Sequence, residues 1–225
     1  MPQVKFKFDK RKDIWNHWDT SNYISPWTKK KANDFTEIDK ICKNKGLEEC
    51  KKDVEKFLKP IHDNKLLYSV IEAFQRSWDN INDEYFRILK KITGKPMPFD
   101  MITGYLTTQK RCPYDPKEPS FMVSIFSSIP NALKVCAHEL MHIHFHNTDW
   151  PRLEKQVGKE KTSNLKEALT VLLNLEFKGL WILRDEGYDS DDQQKLRDFI
   201  EREWKKEKDF DSLLNKCVDY LKEDL

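Results

Sequence analysis

Between Pro130 and Trp150 the chain carries apolar residues on almost every side of a helix, with four histidines set among them. Ala132, Leu133, Val135, Cys136, Leu140, Met141, Ile143 and Phe145 leave no broad polar face. A helix apolar nearly all round is one the rest of the fold must surround. Ser127-Ser128-Ile129-Pro130 offers a hydroxyl cap and a proline near the first turn, and Trp150-Pro151 is expected to end the segment. Histidines buried in such a helix are costly unless they share a purpose.

His138-Glu139-Leu140-Met141-His142 supplies one. Residues four apart share a helix face, about 5–6 Å apart at Cβ, so His138 and His142 can bind one zinc ion. Glu139 is placed to reach a water activated by that ion and to act as general base and acid in peptide hydrolysis. A five-residue pattern can also be coincidence, so the surroundings decide.

A third protein ligand is required, with water in the fourth position. His144 falls on roughly the opposite face from His142, and His146 lies about 12 Å along the helix from His138, too far to share the ion. Glycine and histidine are absent at the third and sixth positions after His142, where Phe145 and Thr148 stand, so the metzincin pattern does not apply. The segment from Asn164 to Leu175 predicts a second buried helix with Glu167 as the one acid near its start. Asn164-x-x-Glu167 is also a capping-box pattern, which needs no metal. Beside a buried H-E-x-x-H helix, Glu167 is the expected third ligand. Glu176 is half a helix circumference away from it, and Glu154 and Glu160 lie in a polar connection.

H-E-x-x-H on one helix, with a glutamate on a following helix 25 positions after the second histidine, resembles the gluzincin metallopeptidases, and the small minigluzincins in particular. The resemblance covers Ile81 to Leu183. It implies that His138, His142 and Glu167 bind zinc and that Glu139 is the catalytic carboxylate. It also implies that a strand just before the active-site helix forms the sheet edge along which a peptide pairs. Phe121–Ser128 reads as that strand, Met101–Thr107 as its partner, and Thr108 to Pro119, with three prolines and many charges, as a loop. One departure stands out. Gluzincins often carry an aspartate four residues after the glutamate ligand to orient a histidine, and here that position is Val171, which leaves Asn174 or no residue for the task. The donor for the developing oxyanion is left between Tyr188 and His146.

The remainder bounds the answer. The chain of 225 residues has a net charge of +2, and its basic runs Lys29-Lys30-Lys31 and Lys90-Lys91 are balanced by acids, so no nucleic-acid partner is expected. Cys42, Cys50, Cys112, Cys136 and Cys217 are odd in number and scattered, with neither a disulfide framework nor a zinc knuckle implied. Met1 to Asp13 has no apolar signal core, and no run approaches the roughly 20 apolar residues of a membrane span. A cytoplasmic protein with a peptide or protein substrate and no membrane partner is expected.

The organisation is helical. Residues 1–33 interleave Trp15, Trp18, Tyr23 and Trp27 with charges and read as a packed extension, or as an arm across the cleft. Phe35 to Lys59 reads as two short helices broken at Gly46. Asn64 to Thr93 reads as one long amphipathic helix ended by Gly94, and two more amphipathic helices follow Ser190. The expected fold class is α+β, predominantly helical, with a small twisted sheet packed on an active-site helix and a following glutamate helix. A 1–62 helical and aromatic extension is expected to precede a 63–225 zincin-like domain. The expected function is zinc-dependent peptide hydrolysis. The alternatives are an inactive pseudopeptidase scaffold and a helical interaction or regulatory protein with a coincidental H-E-x-x-H.

Overall fold

The computed structural model describes residues 1–24 and 36–223. In chain order these form β1 (Gln3–Phe8), α1 (Lys10–Asn22), α2 (Thr36–Cys42), α3 (Leu47–His62), α4 (Leu66–Asp79), α5 (Asn82–Thr93), β2 (Met101–Thr107), β3 (Tyr114–Asp115) and β4 (Ser120–Ser124). There follow α6 (Ile129–Thr148), α7 (Trp150–Ala168), α8 (Val171–Glu176), α9 (Asp191–Lys206) and α10 (Phe210–Glu223). The fold is α+β and predominantly helical, with one four-stranded mixed sheet in the order β1-β2-β4-β3.

Alternation builds the sheet. Val4 and Phe6 on β1, Ile102 and Leu106 on β2, and Phe121 and Val123 on β4 all point to one face, which the helices cover. Gly104 makes that face close: a Cβ there would come 2.7 Å from the Phe6 ring and 3.2 Å from Phe121. Its absence lets Phe6 lie across β2 and meet Phe121 edge to face. β1 and β2 are parallel, as are β2 and β4, and only β3 runs antiparallel, at the outer side of β4. Two expectations change here. β1 lies N-terminal to the boundary expected at residue 62, yet pairs along its whole length with β2 beyond it. The segment expected as a loop contains β3, so β4 is an inner strand over Ser120 and Phe121 and the sheet edge is β3.

The long helix expected over 64–93 is two. Ile81, at φ −121° and ψ −7°, leaves the helical region, and this turns Asn82 inward. Asn82 there accepts from Trp78 Nε1 at 2.9 Å and donates to the Pro2 carbonyl at 2.9 Å, tying the helix pair to the N-terminus. α6 starts as the sequence suggests, with Ser128 Oγ accepting from Asn131 N and Pro130 in the first turn. Trp150-Pro151 ends α6 but immediately opens α7, because a proline fits a first helical turn as well as it breaks an interior one. The polar connection is therefore helix, interrupted at Gly158, whose φ of +80° suits glycine.

One core joins the sheet face to α4 through α10. A second, smaller core of Ile14, Ile38, Cys42, Cys50, Val54 and Leu58 binds α1, α2 and α3, and in it the Cys42 and Cys50 sulfurs lie 3.0 Å apart. The stretch 25–33 of the expected N-terminal arm lies outside the described residues. Among those described, no helix is long and apolar enough to cross a membrane.

Candidate metal centre

α6 brings His138 and His142 onto one face, with their ring centroids 4.3 Å apart. Glu167 comes to them from α7, but not as the capping pattern implies. Asn164 is inside α7 and Glu167 is its penultimate residue. The C-terminal end of a helix is the negative end of its dipole and disfavours a carboxylate, so capping does not account for Glu167. Its neighbours do. Oε2 lies 3.1 Å from His142 Nε2 and 3.4 Å from His138 Nε2, and Oε1 is 2.6 Å from Lys166 Nζ. Burial alone would push the Glu167 carboxyl up; His142, His138 and Lys166 outweigh it and hold it well below the usual carboxylate range.

The three expected ligands thus meet: one atom from each of His138, His142 and Glu167 lies within 4.8 Å of the others. The far side of His138 explains why this matters. Its Nδ1 is 2.7 Å from Asp185 Oδ2. Asp185, held well below the usual carboxylate range by His138 and Arg197 against the opposing effect of burial, is ionised and accepts the Nδ1 proton. A neutral His138 then aims an Nε2 lone pair at a carboxylate oxygen. Two lone pairs facing each other are unfavourable unless a proton or a metal ion lies between them. Burial opposes a charge on His138, but Asp185, Glu167 and Glu139 outweigh it and raise the imidazole to about 10, so a proton on Nε2 can meet this demand as a metal ion would. Burial, in contrast, lowers His142 to about 3, which leaves the ring neutral, with its Nδ1 buried and without a hydrogen-bond partner.

Asp185 is thus the carboxylate behind His138, a place the sequence left to Asn174 or to no residue. Nothing local pointed to it, because it sits in the loop between α8 and α9. Asn174 contributes indirectly: its side chain brackets the Asp185 backbone, accepting from N and donating to O, both at 2.8 Å. Arg197 Nη1 reaches Asp185 Oδ1 at 3.3 Å and Thr170 Oγ1 at 2.8 Å. The loop wraps so closely round that guanidinium that a Cβ on Gly187, at φ +69°, would come 2.8 Å from Arg197 Nη1. Arg197 did have a sequence signal: it falls on the same stripe of α9 as Gln193, Leu196, Ile200 and Trp204, the buried one.

Glu139 is buried beside the ligands. Burial and the Glu167 charge raise its carboxyl to about 7 against the pull of His138 and Lys166, a value suited to taking and returning a proton near neutrality. Lys166 and Tyr114 complete the surround, neither anticipated from sequence. Tyr114 Oη is 2.9 Å from Lys166 Nζ and 2.7 Å from His146 Nε2, and its ring centroid is 5.2 Å from that of His142. His146 is thus outside the ligand set, as its spacing implies, and stacks on Trp150 at 4.1 Å. His144 faces away and bonds the Lys95 carbonyl. Glu176 pairs with Trp204 Nε1 and Lys208, remote from the cluster. Tyr188 is half-buried and feels the charges of Glu167 and Glu139, with Tyr23 and Arg111 nearby.

No family model matches the chain, and no curated protein or solved structure matches it either.

Proposed function

We propose that the chain is a zinc-dependent peptidase with a zincin-like architecture of gluzincin type. The observation that carries this reading is the convergence of His138 Nε2, His142 Nε2 and Glu167 Oε2 on one point, with Asp185 behind His138 and Glu139 alongside. Two imidazole nitrogens and a carboxylate oxygen suit zinc, and three protein ligands leave a position open. A zinc ion there would polarise a carbonyl and acidify a water. Glu139 removes a proton from the attacking water and returns it to the leaving nitrogen. Asp185 fixes the His138 tautomer, and Lys166 holds the second oxygen of Glu167. The peptide or protein substrate pairs at the sheet edge, which is β3 beside Ser120 and Phe121 and β4 itself beyond them.

Metal content tests this. Mass spectrometry of purified wild type should give about one zinc per chain, lost or much weakened in Glu167→Ala, and a peptide-library digest follows. Zinc unchanged in the variant moves the third ligand elsewhere. Absence of zinc from reconstituted wild type ends the peptidase reading.

One observation favours a second reading, an inactive pseudopeptidase scaffold: the buried Lys166 ammonium already compensates Glu167. That reading predicts a folded protein without zinc or with zinc and no hydrolysis. A cytoplasmic location belongs to the proposal, supported by the scattered thiols and checked by cell fractionation.

A further inference from the structure

Attack on a carbonyl builds negative charge on its oxygen, and a donor placed there lowers the barrier. Resting on the peptidase reading above, we propose that Tyr114 is this donor, held in readiness by Lys166. Tyr114 lies opposite Phe121 in the β3–β4 register, which puts its ring on the sheet face that α6 covers, against His142. Its position on the edge strand brings the phenol to the side where a peptide would enter.

Hydrogen-bond bookkeeping then assigns the proton. An ammonium has three donors and no lone pair, so Lys166 donates to the Tyr114 oxygen at 2.9 Å. With His146 in its Nδ1–H tautomer, the single phenol proton goes to Nε2 at 2.7 Å. Lys166 is locked in turn by Glu167 Oε1 at 2.6 Å, and its side chain is only 7% exposed. A cation bound to the phenol oxygen polarises the O–H bond and makes it a stronger donor. His146 is the replaceable partner, since it stacks on Trp150 and is only partly buried. The phenol can turn from that imidazole to the charged oxygen without disturbing Glu167 or Lys166. Tyr188, close to the same carboxylates, is the competing phenol, and the test sets the two against each other.

Acetohydroxamate, a small anion that chelates zinc through oxygen, reads the donor without a known substrate. Its affinity for zinc-loaded protein is measured by calorimetry for wild type, Tyr114→Phe, Tyr188→Phe and His146→Ala, with zinc content determined for each. Tyr114→Phe should keep its zinc and bind the hydroxamate about 10- to 100-fold more weakly, the loss expected for a hydrogen bond to a charged group. His146→Ala removes only the resting acceptor and should bind as well as wild type or better. Unchanged affinity in Tyr114→Phe overturns the inference, as does a loss found in Tyr188→Phe alone. Equal weakening in His146→Ala overturns it too, because the cluster would then be scaffold, and this variant decides alone if Tyr114→Phe does not fold. Wild type without zinc removes the peptidase reading itself, before the hydroxamate arm is reached.

Discussion

The molecule holds two clusters that look alike as residue lists, one buried throughout and one with His138 half-buried. One has His138, His142, Glu139 and Glu167 between α6 and α7; the other has His17, His62 and Asp13 between α1, α3 and the end of β2. In the second, the hydrogen bonds each pair a donor with an acceptor, although His62 Nδ1 is buried without a partner, as His142 Nδ1 is. Asp13 Oδ1 accepts from Thr107 Oγ1 and Thr108 N, and Oδ2 from Thr108 Oγ1 and His62 Nε2, all within 2.8 Å. Thr108 has then spent its proton, so His17 Nε2–H donates to it and His17 Nδ1 accepts from Gln109. The neutral ring this demands agrees with burial lowering His17 to about 4. At the first cluster, His138 Nε2 and His142 Nε2 face the same Glu167 oxygen, at 3.4 Å and 3.1 Å, a geometry that ring protons or one metal ion between the three atoms would satisfy. Buried histidines and carboxylates do not by themselves make a site. The convergence of three potential ligand atoms on one point separates the candidate metal centre from the structural knot.

Four experiments sharpen or break that contrast. Glu139→Gln should cut hydrolysis by about 10²- to 10⁴-fold while zinc content stays the same; cleavage at the wild-type rate would mean that Glu139 is not the base. Asp13→Ala leaves His62 and Thr108 without their acceptor and should cost about 3–5 kcal/mol in urea unfolding. Its zinc content should not change, and a loss of metal there would show the two clusters to be coupled. Acid should find the closed cluster next. The folded value for His17, about 4, lies below the usual 6.5, so the unfolded chain takes up the proton first as pH falls. Stability is complete above about pH 6.5 and should decline by roughly 2–3 kcal/mol towards pH 4. His17→Gln should flatten that slope, and a slope unaltered by the substitution would assign the acid sensitivity elsewhere. Smallest is Asp185→Asn, which removes the charge that orients His138 and should weaken zinc by about 10- to 100-fold in chelator competition; unchanged affinity would leave Asp185 a loop anchor only.

Much of the centre was written locally. The buried helix, its Ser128 start and the shared face of His138 and His142 follow from spacing within one element. Glu167 was reached through a premise the structure reverses, since it ends α7 instead of opening a helix. The break at Ile81 and the edge strand inside 108–119 escaped the pattern, because an inward Asn82 and two paired residues at Tyr114 have meaning only against Pro2 and β4.

By itself, the sequence determined which side chains share a turn of helix or alternate along a strand, because backbone geometry sets those neighbours over distances of a few residues. Only the tertiary structure decided that Asp185, 47 positions from His138, would orient it, and that Tyr114 and Lys166, 52 apart, would meet beside Glu167. Those meetings depend on how loops run and how whole faces pack, which is a property of the complete core and not of any segment.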